Sequence, residues 1–268
     1  MAITTLDGVI SGSQTPFDFI KVGATMEAAG VWHSMFYNAG TPGAAATPSP
    51  GLNGAALTSY AGQIPWYNPA SGNSYLSRLT VASTAAGTLR VLDRLWHNSG
   101  LVVTTTTAQT FTSAAWPARD RNGSTNGEDI SIALEVSTAT TNASPVTTIT
   151  ASYTNSDGTA GRTATMASFP ATAVAGTFVP FQLQAGDIGV RSVQSVTLGT
   201  SLAAGAVHVV AYDTFATVAC PVPNVAGEVN AITGGFPRLW NNTVPFLVWV
   251  PSSTTAVTLV GAMSVAQG

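Results

Sequence analysis

Charge is what this chain has least of. Asp, Glu, Lys and Arg make up 8% of its 268 residues, where a soluble domain carries about a quarter. Lys21 is the only lysine. Ala, Thr, Ser, Gly and Asn fill the positions that ions normally occupy. Such a surface dissolves without holding water strongly, which suits faces that end up against other subunits. With 9 basic and 12 acidic residues and a net charge of −3, there is no Lys/Arg cluster to neutralise a run of phosphates. Nucleic acid is therefore excluded as a partner.

Cysteine is almost missing as well. A lone Cys220 excludes an intrachain disulfide framework and a cysteine-based metal cage. Its setting, Thr-Val-Ala-Cys-Pro, reads as a buried small apolar residue and not as a nucleophile. The chain does not open on the basic residues and apolar block of a secretory signal. Its longest apolar run, Val244–Val250, is far short of the ~20 residues a membrane-crossing helix needs. The expectation is synthesis in a reducing cytoplasm, with no membrane partner.

What the chain does have is a period of two. From Pro145 to Thr165, Val146, Thr148, Thr150 and Ser152 fall on one face of an extended strand. Thr147, Ile149, Ala151 and Tyr153 fall on the other. Asn155-Ser156-Asp157-Gly158, with Gly161 close behind, supplies residues that accept the positive φ of tight turns. Arg162–Ala167 then resumes the alternation, so the stretch reads as a β-hairpin. Further strands are expected at Tyr75–Ala82, Ile130–Ser137, Thr147–Thr154, Arg162–Ser168, Phe178–Gln184, Val190–Leu198, Ala206–Phe215, Phe246–Val250 and Ala256–Val265. Pro180 demotes its run to an edge strand or a bulge. Leu101–Thr107 is β-branched and reads as strand or extended edge.

Eight strands in about 140 residues match a two-sheet sandwich. The fold class is all-β, an antiparallel, jelly-roll-like β-sandwich behind an extended, loop-rich N-terminal arm. The expected divisions are an arm over 1–56, a β/loop region over 57–127 and the sandwich over 128–268. Within the arm, Asp18–Tyr37 is the one moderately helical stretch, weakened by Gly23 and Gly30, and Trp32–Tyr37 reads equally well as a strand. Asn38–Gly54 is a Pro/Gly/Ala loop too poor in large apolar residues to build its own core, and such long loops tend to lie on a partner.

Residues that carry chemistry are scattered. His33, His97 and His208 have no metal-ligand spacing, and each reads as structural. His208, in Val-His-Val-Val, is expected at a surface or interface. Asp120–Asp129 alternates oxygen-bearing side chains like a calcium loop, but Thr125 stands where the sharp turn needs glycine and Ser131 where a bidentate Glu is required. No Gly-x-Ser-x-Gly elbow and no βα alternation are present, and no cofactor motif is found. Acidic residues do not fall in an aromatic-rich segment of the kind that lines a glycan-cleaving cleft. Trp66, Tyr67 and Trp116 are aromatics able to stack on sugars, although packing is the commoner fate of such residues. Arg94-Leu95-Trp96-His97-Asn98 is echoed by Arg238-Leu239-Trp240-Asn241-Asn242, which suggests two corners that each pack a tryptophan under a polar turn.

Trp32-His33-Ser34-Met35-Phe36-Tyr37-Asn38-Ala39-Gly40-Thr41-Pro42-Gly43, Ser49-Pro50-Gly51-Leu52, Ser152–Asn155 through Gly161-Arg162-Thr163, and Phe236-Pro237-Arg238-Leu239-Trp240 resemble segments of virion structural proteins of tailed bacteriophages. The resemblance implies a non-enzymatic particle component, made in the host bacterial cytoplasm and ending on the capsid surface. Within that class it points to a capsid decoration, or cement, protein that forms a trimer and binds the major capsid protein. A tail or baseplate subunit and a host-surface glycan-binding module are the alternatives. The contact residues expected on this reading are Trp32, His33, Phe36, Tyr37, Pro42, Pro48, Pro50, Trp66, Tyr67, Trp96 and Trp240. No catalytic, cofactor or metal residues are implied.

Overall fold

The computed structural model describes residues 3–23, 26–235 and 238–268. Phe236 and Pro237 of the last resembling segment lie outside them. The fold is all-β, 43% strand and 5% helix, built of antiparallel sheets that include a half-barrel and a closed barrel. The chain forms two compact units. The first comprises Met1–Ala45, Ser59–Asp93 and Thr214–Gly268, and the second Ala46–Thr58 and Arg94–Asp213. This differs from the expected division at 56 and 127. Two of the boundaries fall inside long strands, Gly87–His97 and Ala206–Cys220, where no composition shift marks them.

In the first unit a six-stranded sheet runs in the order Gly227–Asn230, Ser74–Ser83, Val257–Gln267, Phe17–Gly23, Ala39–Thr41, with Arg238–Leu239 also paired to Ser74–Ser83. Phe17–Gly23 corrects the expectation of a detached N-terminal arm and of a helix beginning at Asp18. It alternates strictly, with Phe19 and Lys21 buried and Asp18, Ile20 and Val22 exposed. A helix would have put Asp18 and Lys21 on one face with Val22, so the period of two wins. The strand ends at Gly23. A second strand covers only Trp32–Ser34, and a 3-10 turn then takes Met35–Tyr37, begun where the Ser34 hydroxyl accepts the Phe36 amide at 3.4 Å.

Gly40 sits at φ +141°, where a Cβ would collide with the Ile20 carbonyl. Only glycine lets Ala39–Thr41 pair with Phe17–Gly23. Pro245–Pro251 pairs on one side with Trp32–Ser34 and on the other with Gly87–Asp93. Phe19, Leu76, Leu79, Val81, Leu89, Val91, Trp249, Leu259 and Met263 fill this unit's core. Each fully buried aliphatic side chain contributes about 1.5–3 kcal/mol. Cys220 is free and buried in the same cluster.

In the second unit the expected hairpin forms, Thr150–Asn155 against Arg162–Thr165, with Tyr153 opposite Arg162. Gly158 and Gly161 adopt positive φ in its turn, and the Asn155 carboxamide accepts the Thr159 amide at 2.8 Å. Val190–Thr197 and Gln109–Thr110 complete a four-stranded sheet. Ser131–Thr138 pairs with Thr177–Pro180 and with Ala206–Tyr212. Pro180 closes its short strand, as a residue without an N–H must. Leu101–Thr107, expected as a strand, is loop. The Gln109 carboxamide there stands in for a strand partner: it accepts the Val102 amide at 2.8 Å and donates to the Val102 carbonyl at 3.0 Å. The core of this unit gathers Trp96, Ile132, Leu134, Ile149, Tyr153, Phe169, Val193, Val196, Leu198 and Val209.

Candidate functional site

The ionisable groups that do converge lie in the second unit and are sealed into it. Arg94 and Glu135 are fully buried, and the guanidinium donates to both carboxylate oxygens at 3.0 and 2.6 Å. Arg94 Nε also donates to His97 Nδ1 at 3.0 Å, which requires that nitrogen to keep its lone pair. Burial, then the charges of Arg94 and His208, push the His97 imidazole down to about 2. His208 is buried too, which corrects the expectation of a surface position. Its strand neighbours are Glu135 and Val209's partner Leu134 across the pair with Ser131–Thr138, so its face of the strand points inward.

His208 Nδ1 lies 3.0 Å from the Asn98 carbonyl and must donate to it, so Nε2, 2.6 Å from the Ser137 hydroxyl, accepts. Burial pushes this imidazole down to about 4, opposed by the Glu135 charge and reinforced by that of Arg94. Ser137 and His208 have the spacing of a nucleophile and base. The histidine nevertheless serves as an internal strut, tying the strand at Ala206–Tyr212 to Asn98, whose own carboxamide accepts the Val209 amide at 2.8 Å.

The loop at 120–129 is likewise closed on itself. The Asp120 carboxylate accepts the amides of Ser124, Asn122, Gly127 and Glu128 at 2.6, 3.0, 3.0 and 3.2 Å, and the Ser124 hydroxyl at 2.6 Å. Burial alone would raise its pKa, and these hydrogen bonds outweigh that and hold it below the usual carboxylate range. A calcium loop turns oxygens inward, whereas this one turns N–H groups inward onto its own acid. Gly127 is at φ +81°, with the Val190 carbonyl where a Cβ would stand. Asp120→Ala leaves those amides without an acceptor and should cost about 2 kcal/mol, read as a lower urea midpoint, with Ca²⁺ making no difference to either protein.

A third acid is held similarly. Asp187 accepts two hydrogen bonds from Arg162, both 2.9 Å, one from Asn155 at 2.8 Å and one from the Tyr153 hydroxyl. The Arg162 hydrogen bond leads in holding its carboxyl well below the usual range. This acid clamps the hairpin to the segment before Val190–Thr197.

Two surface features of the first unit are not satisfied from within. The first is the outward face of the six-stranded sheet. Ile20 pairs directly with Val260, and Val260 with Ala82 on the far side. Val22 stands one step along, opposite Thr258 and Ala39. Ile20, Val22 and Val260 are 45%, 46% and 49% exposed and adjacent, rimmed by Thr41, Ala39, Thr258 and Ala82. At one margin Asp18, Thr80 and the Arg78–Glu228 pair supply polarity.

The second is an aromatic ledge. The Phe17 ring centroid lies 6.4 Å from that of Trp66 and 5.7 Å from that of Tyr67. The rings wall a cavity of about 400 Å³ completed by Gln14, Thr15, Pro16, Asp18, Pro65, Val265 and Gln267. The Trp66 segment is pinned there because the Ile64 amide donates to the Pro245 carbonyl at 2.8 Å and Asn68 exchanges two hydrogen bonds with Asn242.

The sequence-derived contact residues divide between surface and interior. Trp66 and Tyr67 stand together on the ledge. His33, Phe36 and Trp96 are buried in the protomer's own interior, with Trp96 Nε1 donating to the Asn53 carbonyl at 3.1 Å, and Pro48 is buried as well. These four belong to packing, because large rings beside short strands are what the interior takes first. Trp32 lies under the Arg90 guanidinium at 4.3 Å and Trp240 under that of Arg238 at 3.9 Å. Tyr37 and Pro42 are half-buried, and Pro50 is exposed. The two echoing corners are therefore unlike: Arg94 is an internal ion and Arg238 a surface cap. Ile20, Val22, Val260, Phe17 and Asp18 were missed. The alternation from Phe17 to Val22 carried the signal for four of them.

No protein-family profile matches the chain, and no curated protein is similar to it in sequence. Among solved structures it has weak similarity to capsid proteins of infectious bursal disease virus. The VP2 subviral particle aligns with a TM-score of 0.17 at 13% identity, over 96% of this chain and 81% of the other. The Gx strain aligns at 0.17 and 14%, over 76% and 46%, and the T=1 particle at 0.14 and 12%, over 96% and 79%. At scores this low the superpositions carry neither fold nor role across to this chain.

Proposed function

We propose that this chain is a non-enzymatic structural subunit of a virion, one that decorates and stabilises a tailed-phage capsid as a homo-oligomer, a trimer, bound to major capsid subunits. The jelly-roll-like sandwich and the segments resembling phage virion proteins belong to the same reading. The observation that carries it is the apolar outward face around Ile20, Val22 and Val260. Covering the exposed halves of those three side chains is worth about 5 kcal/mol at ~25 cal/mol per Å². That is no more than the 4–15 kcal/mol that association costs. One such contact is marginal, and the same contact repeated by symmetry over a shell is not. The buried ion pair, the two neutral histidines and the satisfied Asp120 and Asp187 support the reading, since each is committed to holding the fold.

The test is Val260→Asp, at an exposed strand position where the fold tolerates a polar side chain. The native protein should run as a trimer in light scattering and saturate shells lacking it at a fixed ratio. The variant should keep its β-sheet circular dichroism and lose shell binding by at least about tenfold. A monomeric native protein that ignores such shells overturns the proposal, and a variant that binds them unchanged removes this face from it.

A further inference from the structure

We infer that the ledge formed by Phe17, Trp66 and Tyr67 is a saccharide-binding site that takes a neutral hexopyranose of a larger glycan. It is independent of the sheet face. Three observations bear on it together. The first is the aromatic surface. Tyr67 is 69% exposed, far more than a packed ring needs to be, and it is held against Phe17 at 5.7 Å with a 35° tilt. The C–H faces of a pyranose are apolar and pack on such rings, while its hydroxyls are left at the rim.

The second is an unspent set of polar groups at that rim. Thr15 lines the cavity and makes no side-chain hydrogen bond among the described residues. Gln14 spends its Nε2 on the Gly12 carbonyl at 2.9 Å and keeps its Oε1. A carboxamide oxygen and a hydroxyl accept from, or donate to, the adjacent hydroxyls of one sugar ring.

The third is fit. About 400 Å³ is within the ~300–1,000 Å³ of small-molecule sites and accommodates one or two hexose units. The ledge is also preorganised. Gln267 Nε2 donates to the Tyr67 carbonyl at 3.4 Å and to the Ser74 hydroxyl at 3.3 Å, so little ordering is left for the ligand to induce. A proline-rich peptide is the rival occupant, since it too docks on aromatic grooves. The free acceptors of Gln14 and Thr15 favour the sugar, because proline offers them no donor.

The experiment titrates maltohexaose, cellohexaose, laminarihexaose and a proline-rich decapeptide into the full-length protein, following tryptophan fluorescence and ligand-observed saturation transfer. At least one hexasaccharide should bind with a Kd near or below ~1 mM, the range of a single shallow site. Tyr67→Ala, at an exposed position with no core role, should weaken it at least about tenfold, with thermal melting unchanged. Trp66→Ala should abolish the fluorescence response. Silence from all three sugars up to ~10 mM overturns the inference. So does binding that Tyr67→Ala leaves intact, or a response to the decapeptide alone.

Discussion

Glu135→Gln should destabilise the protein by about 3–5 kcal/mol, the cost of leaving one member of a buried ion pair without its counter-charge. Arg94 is fully enclosed and directs two N–H groups at the Glu135 carboxylate. A carboxamide accepts one of them and presents its own N–H₂ to the other. The same side chain hands a third N–H to His97, so a displaced guanidinium also strands an imidazole. The effect is read as a drop in the urea midpoint at pH 7.5 with the slope of the transition unchanged. The paired replacement Arg94→Met with Glu135→Leu removes both charges, and it should cost less than Glu135→Gln alone. A single variant within about 1 kcal/mol of the native protein would falsify the idea that this pair is desolvated and interdependent.

Acid should weaken the fold well above the range where carboxylates protonate. His208 and His97 have folded-state pKa values of about 4 and about 2, against an ordinary 6.5. A folded value below the unfolded one means that the unfolded chain takes up the proton first. Stability is therefore flat above about pH 6.5 and falls as pH drops towards the folded values. His208 alone accounts for about 3 kcal/mol over its window, at 1.36 kcal/mol per pH unit. By pH 5 both histidines contribute, about 2 kcal/mol each.

Arg94, Glu135 and the other histidine are the charged or titratable neighbours that set these values. Asp187 and Asp120, whose carboxyls are held low, lose their contribution only below about pH 4, so the two effects separate. Urea midpoints at pH 7.5, 6.5, 5.5 and 5 should fall steadily below 6.5. His208→Gln should be less stable at pH 7.5 and show a shallower decline. An unchanged midpoint between pH 7.5 and 5 rules out buried neutral imidazoles.

Strand content was legible wherever one face of a run is buried and the other is wet. Ser74–Ser83, Thr150–Asn155 and Val257–Gln267 lie where the alternation of Leu79/Val81, Ala151/Tyr153 and Val257/Leu259 puts them. The reading failed where something other than periodicity decides. Leu101–Thr107 has the composition of a strand, but its hydrogen bonds go to the side chain of Gln109 and to single backbone groups such as Leu202. Phe17–Gly23 hid behind the single lysine, since Lys21 points inward with its ammonium on the carbonyls of Asn38 and Gly43. Burial lowers its pKa to about 8.

The ledge was half visible. Trp66 and Tyr67 stand out in any sequence, but Phe17 joins them only through a sheet whose partners are some 240 positions apart, as in its pairing with Met263. The outward face was hidden for the same reason: Ile20 and Val260 are unremarkable singly and meaningful only side by side.

That long-range pairing also has a bearing on how the molecule comes off the ribosome. Val257–Gln267 lies between Phe17–Gly23 and Ser74–Ser83, so these two strands cannot be joined into one sheet until the residues from 257 onward have emerged. Until then each of the two keeps an unpaired edge open to whatever is near. A nascent chain stalled short of residue 257 should be captured by holdase chaperones, and the released full-length chain should not be.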